Sequence, residues 1–390
     1  MPIKTAAIIG AGIAGLTAAL ALARHGIRSE IFEQAEALTE VGAGLQISPN
    51  ASRILDTLGV LDALRSVWLE PDEVRLVSGS SLRPVASVPC GKFALERWGA
   101  PYGTAHRATL QKALLDAVTA NALCTLHLGR RIDIKDKRAL EEIAGSELDL
   151  IIGADGVWSK THAMVPGAPA PLFSGNIAWR FSVAEATAPS LLNKSSVTAF
   201  LGSSSHLVCY PIRENAAFNI VAIVSGSGSS RDWSTSGNKA QREQMLRGFS
   251  GWNSEILRML EAREQATFWP LYEMKAGRWH NGSDTVLIGD AAHAMMPFAA
   301  QGAAMAIEDA FELAGMLATR SPAEALNLFE KHRTPRIARL RQRAAFNQFA
   351  YHARGPIRLA RDLVLSLRPP QSLAADMDWI YSYRAGASPV

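Results

Sequence analysis

A glycine-rich turn near the start of the chain, between two short apolar segments, constrains the fold more than any other feature. Residues 5–9 are typical of a strand buried on both faces, and residues 13–25 are typical of an Ala- and Leu-rich helix. The turn and the first helical residues, residues 10–15, read GAGIAG. A second strand follows over residues 28–32 and ends at Glu33. The pattern predicts a β-α-β unit and therefore a parallel sheet covered by helices.

The three glycines of this turn predict a site for an adenine dinucleotide. Gly10 allows a tight turn, Gly12 lets the backbone approach a pyrophosphate, and Gly15 permits close packing of helix on strand. The helix N-terminus adds free N–H groups and a partial positive charge. Glu33 is placed to accept hydrogen bonds from a ribose hydroxyl.

The same region contains an apolar run, residues 6–23, that is nearly long enough to span a membrane. Three glycines interrupt the run, and Lys4 is the only basic residue before it. We therefore expect a buried strand, turn and helix rather than a membrane anchor or an export signal.

Composition indicates an ordinary soluble chain. Its 390 residues, 48% hydrophobic and 19% charged, suffice for two domains with sizeable cores. A net charge of +4 is small for this length and gives no reason to expect a nucleic-acid partner. Three cysteines without a CxxC motif are typical of reduced thiols in a cytoplasmic protein, and they argue against a structural metal site: Cys90, Cys124 and Cys209.

The middle of the chain has a different sequence pattern from its ends. Residues 174–271 alternate turns with short strand-like segments, which favours a mixed or antiparallel sheet. Residues 225–237, rich in Ser and Gly, are typical of a mobile loop. Further helices are predicted at residues 49–58, 107–121, 303–318 and 322–351, and further strands at residues 148–152, 196–201, 205–212 and 216–224.

We predict an α/β fold in which a Rossmann-like nucleotide-binding domain is interrupted by an α+β domain built on a mixed or antiparallel sheet, with helices at the C-terminus. The predicted bounds are residues 1–73, 102–173 and 275–335 for the nucleotide-binding domain, residues 74–101 and 174–274 for the sheet domain, and residues 336–390 for the C-terminal helical segment.

Basic residues recur at helical spacings late in the chain. The spacing favours a solvated helix face or a subunit contact, with a membrane surface or polyanion as the alternative partner. These residues are Lys331, Arg333, Arg336, Arg339, Arg341, Arg343, Arg354, Arg358, Arg361 and Arg368.

Two more glycine-bearing segments follow predicted strands. Residues 150–156 read LIIGADG, a strand that ends in a turn carrying Asp155. Later, a strand delivers Asp290, and a helix begins near Gly302 with its positive end placed to stabilise charge on a bound ring. His293 lies within this last turn, where we expect a structural role. The three segments in this order indicate that the dinucleotide is FAD.

With these segments, the chain resembles the class A, single-component FAD-dependent aromatic monooxygenases, such as salicylate hydroxylase, 3-hydroxybenzoate 6-hydroxylase and 6-hydroxynicotinate 3-monooxygenase. The resemblance covers nearly the whole chain and includes smaller matches at residues 42–50, 106–110, 178–180 and 379–381. It implies bound FAD, oxygen, and NADH as co-substrate, with NADPH as the alternative. It also implies hydroxylation of a small phenolic or hydroxy-heteroaromatic acid through a flavin C4a-hydroperoxide.

The resemblance also implies roles for individual residues. The first turn would hold the pyrophosphate, Glu33 the ribose and Asp290 the ribityl chain, while Arg107 would contact FAD and Asp155 would serve FAD and the nicotinamide cofactor. The full set of implied cofactor-binding residues is Gly10, Gly12, Ile13, Ala14, Gly15, Glu33, Gln34, Arg107, Asp155, Gly156, Asp290, Pro297, Gly302 and Ala303.

A predicted strand of the second domain carries the candidate catalytic residues. Side chains alternate along a strand, so His206, Val208 and Tyr210 point to one face. A histidine titrates near neutral pH, which suits a general base for a phenolic proton, and Tyr210 is placed to orient a substrate oxygen. The spacing resembles a His and Tyr pair in the family. From the residues alone, an exposed strand histidine beside a core tyrosine is the alternative.

The predicted substrate pocket adds Gln46, Pro297 and Gln301, with Arg213 as a possible partner for a substrate carboxylate. Gln46 stands where 6-hydroxynicotinate 3-monooxygenase carries a histidine, a departure that argues against hydroxynicotinate as the substrate. Two alternatives remain, an oxygenase or epoxidase acting on a non-phenolic substrate and a non-catalytic FAD-binding protein. We expect a monomer or a homodimer.

Overall fold

The structure is a computed structural model and describes residues 3–38, 44–133, 137–227, 235–262 and 266–386. Within these residues the strands are β1 (Thr5–Ile9), β2 (Arg28–Phe32), β3 (Gly44–Ile47), β4 (Glu73–Ser78), β5 (Pro84–Pro89), β6 (Gly103–His106), β7 (Cys124–His127), β8 (Leu150–Gly153), β9 (Pro171–Ala184), β10 (Ser196–Gly202), β11 (Ser205–Ile212), β12 (Ala217–Ser225), β13 (Thr235–Ser236), β14 (Thr267–Met274) and β15 (Thr285–Leu287).

Over the same residues the helices are α1 (Ile13–Ala23), α2 (Pro49–Thr57), α3 (Leu61–Arg65), α4 (Lys92–Trp98), α5 (Arg107–Thr119), α6 (Lys137–Ala144), α7 (Lys239–Gly248), α8 (Ser254–Glu261), α9 (Asp290–His293), α10 (Gly302–Leu317), α11 (Pro322–Tyr351), α12 (Gly355–Leu367), α13 (Pro370–Ala375) and α14 (Asp378–Tyr381).

A five-stranded parallel sheet, sheet A, has the order β15-β8-β1-β2-β7. Its central strands β1 and β8 are almost wholly apolar and buried, as strands covered by helices on both faces require. Helices α1 and α10 pack against each other over this sheet. Because all five strands run the same way, the turns that follow β1, β8 and β15 lie side by side at one edge.

An eight-stranded sheet, sheet B, has the order β13-β14-β9-β12-β11-β10-β4-β5. Neighbouring strands are antiparallel except β10 and β4, which are parallel. One face is covered by α7 and α8, where Phe249 and Trp252 pack on it. The other face meets Met296 and Phe298, from the loop before α10. The predicted fold class, with a parallel sheet, a separate mixed sheet and C-terminal helices, is confirmed.

Several predicted elements coincide with the observed ones, and others differ. The bounds of β1, β2, β11 and α11 agree with prediction, whereas β8 begins two residues later than predicted. The ribbon of β3 and β6 was not predicted. In the predicted loop over residues 225–237, residues 228–234 lie outside the described residues, and β13 forms near its end. Helix α11 runs continuously across the predicted boundary between residues 335 and 336.

The apolar run near the N-terminus forms β1, the turn and α1. Among the described residues, no helix combines the length and apolarity needed to cross a membrane. The three cysteines are free thiols, with Cys90 and Cys209 buried.

Candidate active site

The three glycine-bearing turns converge at the carboxyl edge of sheet A. They follow β1, β8 and β15, which are neighbours in the sheet. A Cβ placed on Gly10 would lie 2.5 Å from the carbonyl oxygen of Ala154, so the first and second turns touch. A Cβ on Gly289 would lie 3.2 Å from the Cβ of Ala14, which joins the first turn to the third. Segments separated by more than a hundred residues therefore form one surface.

A different steric feature explains the absence of a side chain at each glycine of the first turn. Gly10 has φ +104°, a conformation that disfavours any side chain. A Cβ on Gly15 would lie 1.9 Å from the carbonyl oxygen of Gly10, so only glycine lets α1 pack this closely. A Cβ on Gly12 would meet nothing within 4 Å, which leaves open space above the turn. No side chain caps α1, so its first N–H groups are available to an anion such as a pyrophosphate.

Glu33 is fixed beside this turn by two backbone donors. Its Oε2 accepts the N–H of Ala11 at 2.9 Å, and its Oε1 accepts the N–H of Ala35 at 2.9 Å. Gln34, the next residue, is exposed. Glu33 is only partly buried, so its remaining lone pairs suit the hydroxyls of a ribose.

Helix α5 supports the turn from the other side. Gln111 donates from Nε2 to the carbonyl oxygen of Ala11 at 3.1 Å. Arg107 is the first residue of α5 and is half-buried. The first turn of this helix therefore lies near the predicted dinucleotide site.

In the second turn, Asp155 has one oxygen occupied and one without a partner. Oδ2 accepts the N–H groups of Lys160 at 2.8 Å and Thr161 at 3.2 Å. Oδ1 is buried and has no hydrogen-bond partner among the described residues. A buried carboxylate oxygen without a donor indicates a place for a ligand hydroxyl or amide. Gly156, with φ +77°, permits the sharp turn that follows.

The third turn is held from below by a buried carboxylate. Asp309, on α10, places Oδ2 at 2.5 Å from Nε2 of His293 and accepts the N–H of Gly289 at 2.9 Å with the same oxygen. Although burial raises the pKa of Asp309, its contacts with His293 and Arg333 and the backbone N–H of Gly289 hold that pKa at about 2. Asp290 is left exposed at the first residue of α9, where a bound ligand can reach it.

Two arginines of α11 complete this buried network, contrary to the expectation of a solvated basic face. Arg333 is fully buried and donates to Asp309 at 2.7 Å and to Glu308 at 2.7 Å. Arg336 donates to both oxygens of Glu308, at 2.6 and 2.7 Å. The expectation was wrong for these two because their acidic partners lie on α10, which sequence spacing along α11 does not reveal.

Gln301, a predicted pocket residue, is buried and its amide is already engaged. Nε2 donates to Oγ of Ser48 at 3.0 Å, and Oε1 accepts from Nδ2 of Asn50 at 3.2 Å. Asn50 also donates to Glu308 at 2.7 Å. These contacts fix the start of α10 at Gly302. No side chain caps α10, and a Cβ on Gly302 would meet nothing within 4 Å, so the first N–H groups of this helix suit an electron-rich ring edge.

The catalytic candidates lie on the face of sheet B that meets the loop before α10. His206 and Tyr210 share this face, and register places Ile223 and Ala178 beside His206 on the next two strands. Ile223 and Ala178 pack in one apolar cluster with Phe298. Sheet B therefore packs against the loop that leads from the edge of sheet A into α10.

His206 is buried and surrounded by aromatic rings. Its ring centroid lies 4.9 Å from that of Phe298 and 5.5 Å from that of Tyr351. Its Nδ1 lies 2.9 Å from Nε2 of His352, so the two imidazoles share a hydrogen bond. Burial, reinforced by His352, lowers the pKa of His206 well below 6.5. The imidazole is therefore neutral near pH 7, which is the form that accepts a proton.

Tyr210 lies further along β11, under the ribbon of β3 and β6. A Cβ on Gly44 would lie 2.7 Å from Cε2 of Tyr210, so glycine is needed for this contact. Burial raises the pKa of Tyr210, which keeps the phenol protonated as a donor. Gln46, on the same ribbon, accepts the hydroxyl of Tyr102 at 2.5 Å.

Sequence reasoning missed three residues of this site. Arg180 pairs with Val221 on the inner face of sheet B, with its Cζ 5.3 Å from the ring of Trp269. Arg213, named above as a partner for a substrate carboxylate, is exposed after β11. Strand alternation in residues 178–180 shows that Ala178 and Arg180 lie on the same face of the sheet. It does not show which of the two faces this is. His352 gave no local signal, because its partner is remote in the sequence, and the match over residues 42–50 did not reveal the contacts of the Asn50 amide.

The residues at this edge fit FAD. The open space over Gly12, the uncapped N-termini of α1 and α10, and the unpartnered oxygen of Asp155 match a pyrophosphate, a flavin edge and a polar group of the ligand.

Comparison with known proteins identifies the family. The family described as FAD binding domain matches residues 4–344. The chain is similar to 3-amino-4-hydroxybenzoate 2-monooxygenase PtmB3 of Streptomyces platensis, with 34% identity over 97% of this chain and 96% of that protein. It is also similar to 3-hydroxybenzoate 6-hydroxylase 1 of Aquipseudomonas alcaligenes, with 32% identity over 96% of each chain.

Solved structures agree in fold. Salicylate hydroxylase in its substrate complex has a TM-score of 0.79 at 23% identity, covering 99% of this chain and 97% of that chain. Klebsiella pneumoniae HpxO complexed with FAD and uric acid has a TM-score of 0.79 at 22% identity, covering 96% of this chain and 95% of that chain. Because the family match spans most of the sequence and the relatives align over nearly their full length, the chain belongs to the FAD-binding flavoprotein aromatic monooxygenases.

Proposed function

We propose that the protein hydroxylates a small aromatic acid that carries a ring hydroxyl, using FAD, NAD(P)H and oxygen, with NADH as the expected electron donor. Bound FAD would supply the redox chemistry that activates oxygen, and residues 297–302 would help to hold its ring. The names of the relatives, which describe hydroxybenzoates as substrates, support a hydroxybenzoate.

The observation that carries the proposal is a neutral, buried histidine on the face of sheet B that packs against the loop before α10. His206 is 1% exposed and lies against Phe298. With Nδ1 turned to His352, Nε2 is the nitrogen that can meet a phenolic hydroxyl. Removal of that proton makes the ring electron-rich, as attack on electrophilic oxygen requires. Tyr210 would orient the substrate by donating to one of its oxygens.

The apolar surroundings have a second role. Ala178, Ile223 and Phe298 form a cluster that excludes water from this space. A dry pocket protects reactive oxygen from unproductive decay and strengthens each hydrogen bond in it. We also propose that Gln46 and Pro297 border the substrate, whereas Gln301 acts by fixing the start of α10.

The test measures NADH oxidation, oxygen uptake and labelled product under ¹⁸O₂, with hydroxybenzoates, aminohydroxybenzoates and hydroxypyridine carboxylates as substrates. At saturating substrate, His206→Gln should slow hydroxylation by ~10²–10⁴-fold while FAD stays bound. His25→Gln, at an exposed histidine after α1, is the matched control. Unchanged turnover in His206→Gln, or no ¹⁸O in any product of the wild type, would reject the proposal.

A further inference from the structure

The imidazole pair of His206 and His352 leads from the buried face of sheet B to the protein surface. His352 follows the last residue of α11 and is half-buried, whereas His206 is 1% exposed. His352 borders an open surface cavity of about 450 Å³, together with Gln348, Phe349 and Arg354. The pair therefore joins a dry interior to solvent through one hydrogen bond of 2.9 Å.

We propose that His352 is a positioning residue that also carries away the proton His206 removes from the substrate. This inference rests on the proposed function, in which His206 is the base. It adds a route for the proton, which His206 needs because its burial separates it from bulk solvent.

The transfer conserves protons and charge. The substrate O–H bond breaks and the proton binds Nε2 of His206, while the Nδ1–H proton of the same ring passes to Nε2 of His352. A proton then leaves Nδ1 of His352 for water in the surface cavity. Both rings end neutral in the opposite tautomer, the substrate is left as a phenolate, and no oxidation or reduction occurs.

The groups around His352 favour release rather than storage of the proton. Burial and the nearby cation of Arg354 lower the pKa of His352 to about 4. On its other side lie the uncharged rings of His206 and Phe298, at 5.1 and 5.5 Å between centroids. Tyr351 packs on His206 and stays protonated, because burial raises its pKa.

Two substitutions distinguish the two roles of His352, which are to carry a proton and to hold the ring of His206 in place. His352→Gln keeps an amide that can hydrogen-bond to Nδ1 of His206 but does not relay a proton at neutral pH. His352→Ala removes both functions and enlarges the surface cavity, into which added imidazole can diffuse. We expect both variants to hydroxylate at least ~10-fold more slowly than wild type, with FAD and substrate affinity unchanged.

Rescue is the decisive measurement. Millimolar imidazole should restore the His352→Ala rate in a concentration-dependent manner and leave the wild type unaffected. Wild-type turnover in His352→Gln, or no rescue of His352→Ala, overturns the relay. If His206→Gln is inactive while the His352 variants are normal, the relay fails and the proposed function stands. A wild type inactive on every phenolic acid overturns both.

Discussion

Oδ2 of Asp309 lies 2.5 Å from Nε2 of His293 and also accepts the backbone N–H of Gly289. One oxygen thereby fixes the turn that presents Asp290. Because the same carboxylate neutralises Arg333, which is fully buried, we expect Asp309→Asn to lower the free energy of unfolding by about 3 kcal/mol. Urea unfolding of the FAD-bound protein measures this loss.

The control for that experiment is Asp116→Asn, at an exposed ion pair with Lys112. Exposed pairs contribute about 0–1 kcal/mol, so this variant should unfold nearly as the wild type does. If the two variants unfold alike, Asp309 does not hold the turn in the way described.

Alanine at two glycines of the first turn should have opposite effects. Gly12 has φ −75° and open space around its Cβ position, so Gly12→Ala should fold normally but bind FAD at least ~10-fold more weakly, because the methyl group occupies the ligand's space. Gly15→Ala would press on the carbonyl of Gly10 and should lose ~1–3 kcal/mol of stability. Flavin fluorescence titration and urea unfolding of the apoprotein separate the two effects. Normal FAD affinity in Gly12→Ala would contradict the assignment.

Arg180 is expected to bind the carboxylate of the substrate. It lies on the pocket face of sheet B, close enough to Tyr210 for its charge to act on that hydroxyl. Loss of one charge-assisted hydrogen bond costs ~1.5–3 kcal/mol, so Arg180→Met should raise KM for a hydroxybenzoate by roughly 10–100-fold. Arg213→Met, at an exposed arginine, is the matched control. An equal KM change in both variants, or an unchanged KM in Arg180→Met, counts against this role.

Acid should destabilise the protein between about pH 6.5 and 4. Burial lowers the pKa of His206 well below 6.5, lowers that of His352 to about 4, and lowers that of His280. As pH falls, these histidines bind protons first in the unfolded chain, so stability is lost from pH 6.5 downwards. His332 behaves in the opposite way, because its hydrogen bond to Glu312 raises its pKa. Its contribution to stability is complete below pH 6.5 and is lost only as pH rises.

Melting temperatures from pH 8 to 4 test this expectation in the wild type and in the double variant His206→Gln, His352→Gln. The variant should lose less stability on acidification, because it lacks two of the histidines whose pKa is lowered in the folded protein. If the melting temperatures of the two proteins fall in parallel with pH, this pair of histidines does not cause the loss of stability in acid.

Local patterns predicted the parts of the fold that depend on short stretches of chain. The bounds of β1 followed from an apolar run before the glycine turn, those of β2 from a short segment that closes on Glu33, and those of α11 were also predicted. The three turns were predicted to share one ligand, and the adjacency of β15, β8 and β1 gives the geometric reason.

The contacts that sequence could not supply are those between remote polar groups. Asn50 and Glu308, or His206 and His352, are apart in sequence, and no spacing rule pairs them. Arg333 shows the same limit of sequence reasoning. Its spacing along α11 is the same whether it is buried or solvated, and only the folded structure brings it to its acidic partners on α10. The domain bounds and the roles of His206 and Tyr210 stay predictions.

The placement of β15 in sheet A has a consequence for how the chain matures. Sheet B is encoded largely between β8 and its neighbour β15, so the first two turns leave the ribosome long before the third. A nascent chain that stops before Thr285 lacks both an edge strand and the helix whose N-terminus closes the site. Pairing between strands so far apart in the sequence is slow, and β15 is synthesised after the strands of sheet B. Capture of the flavin is therefore expected to be a late event in biosynthesis, one that follows synthesis of the strands of sheet B.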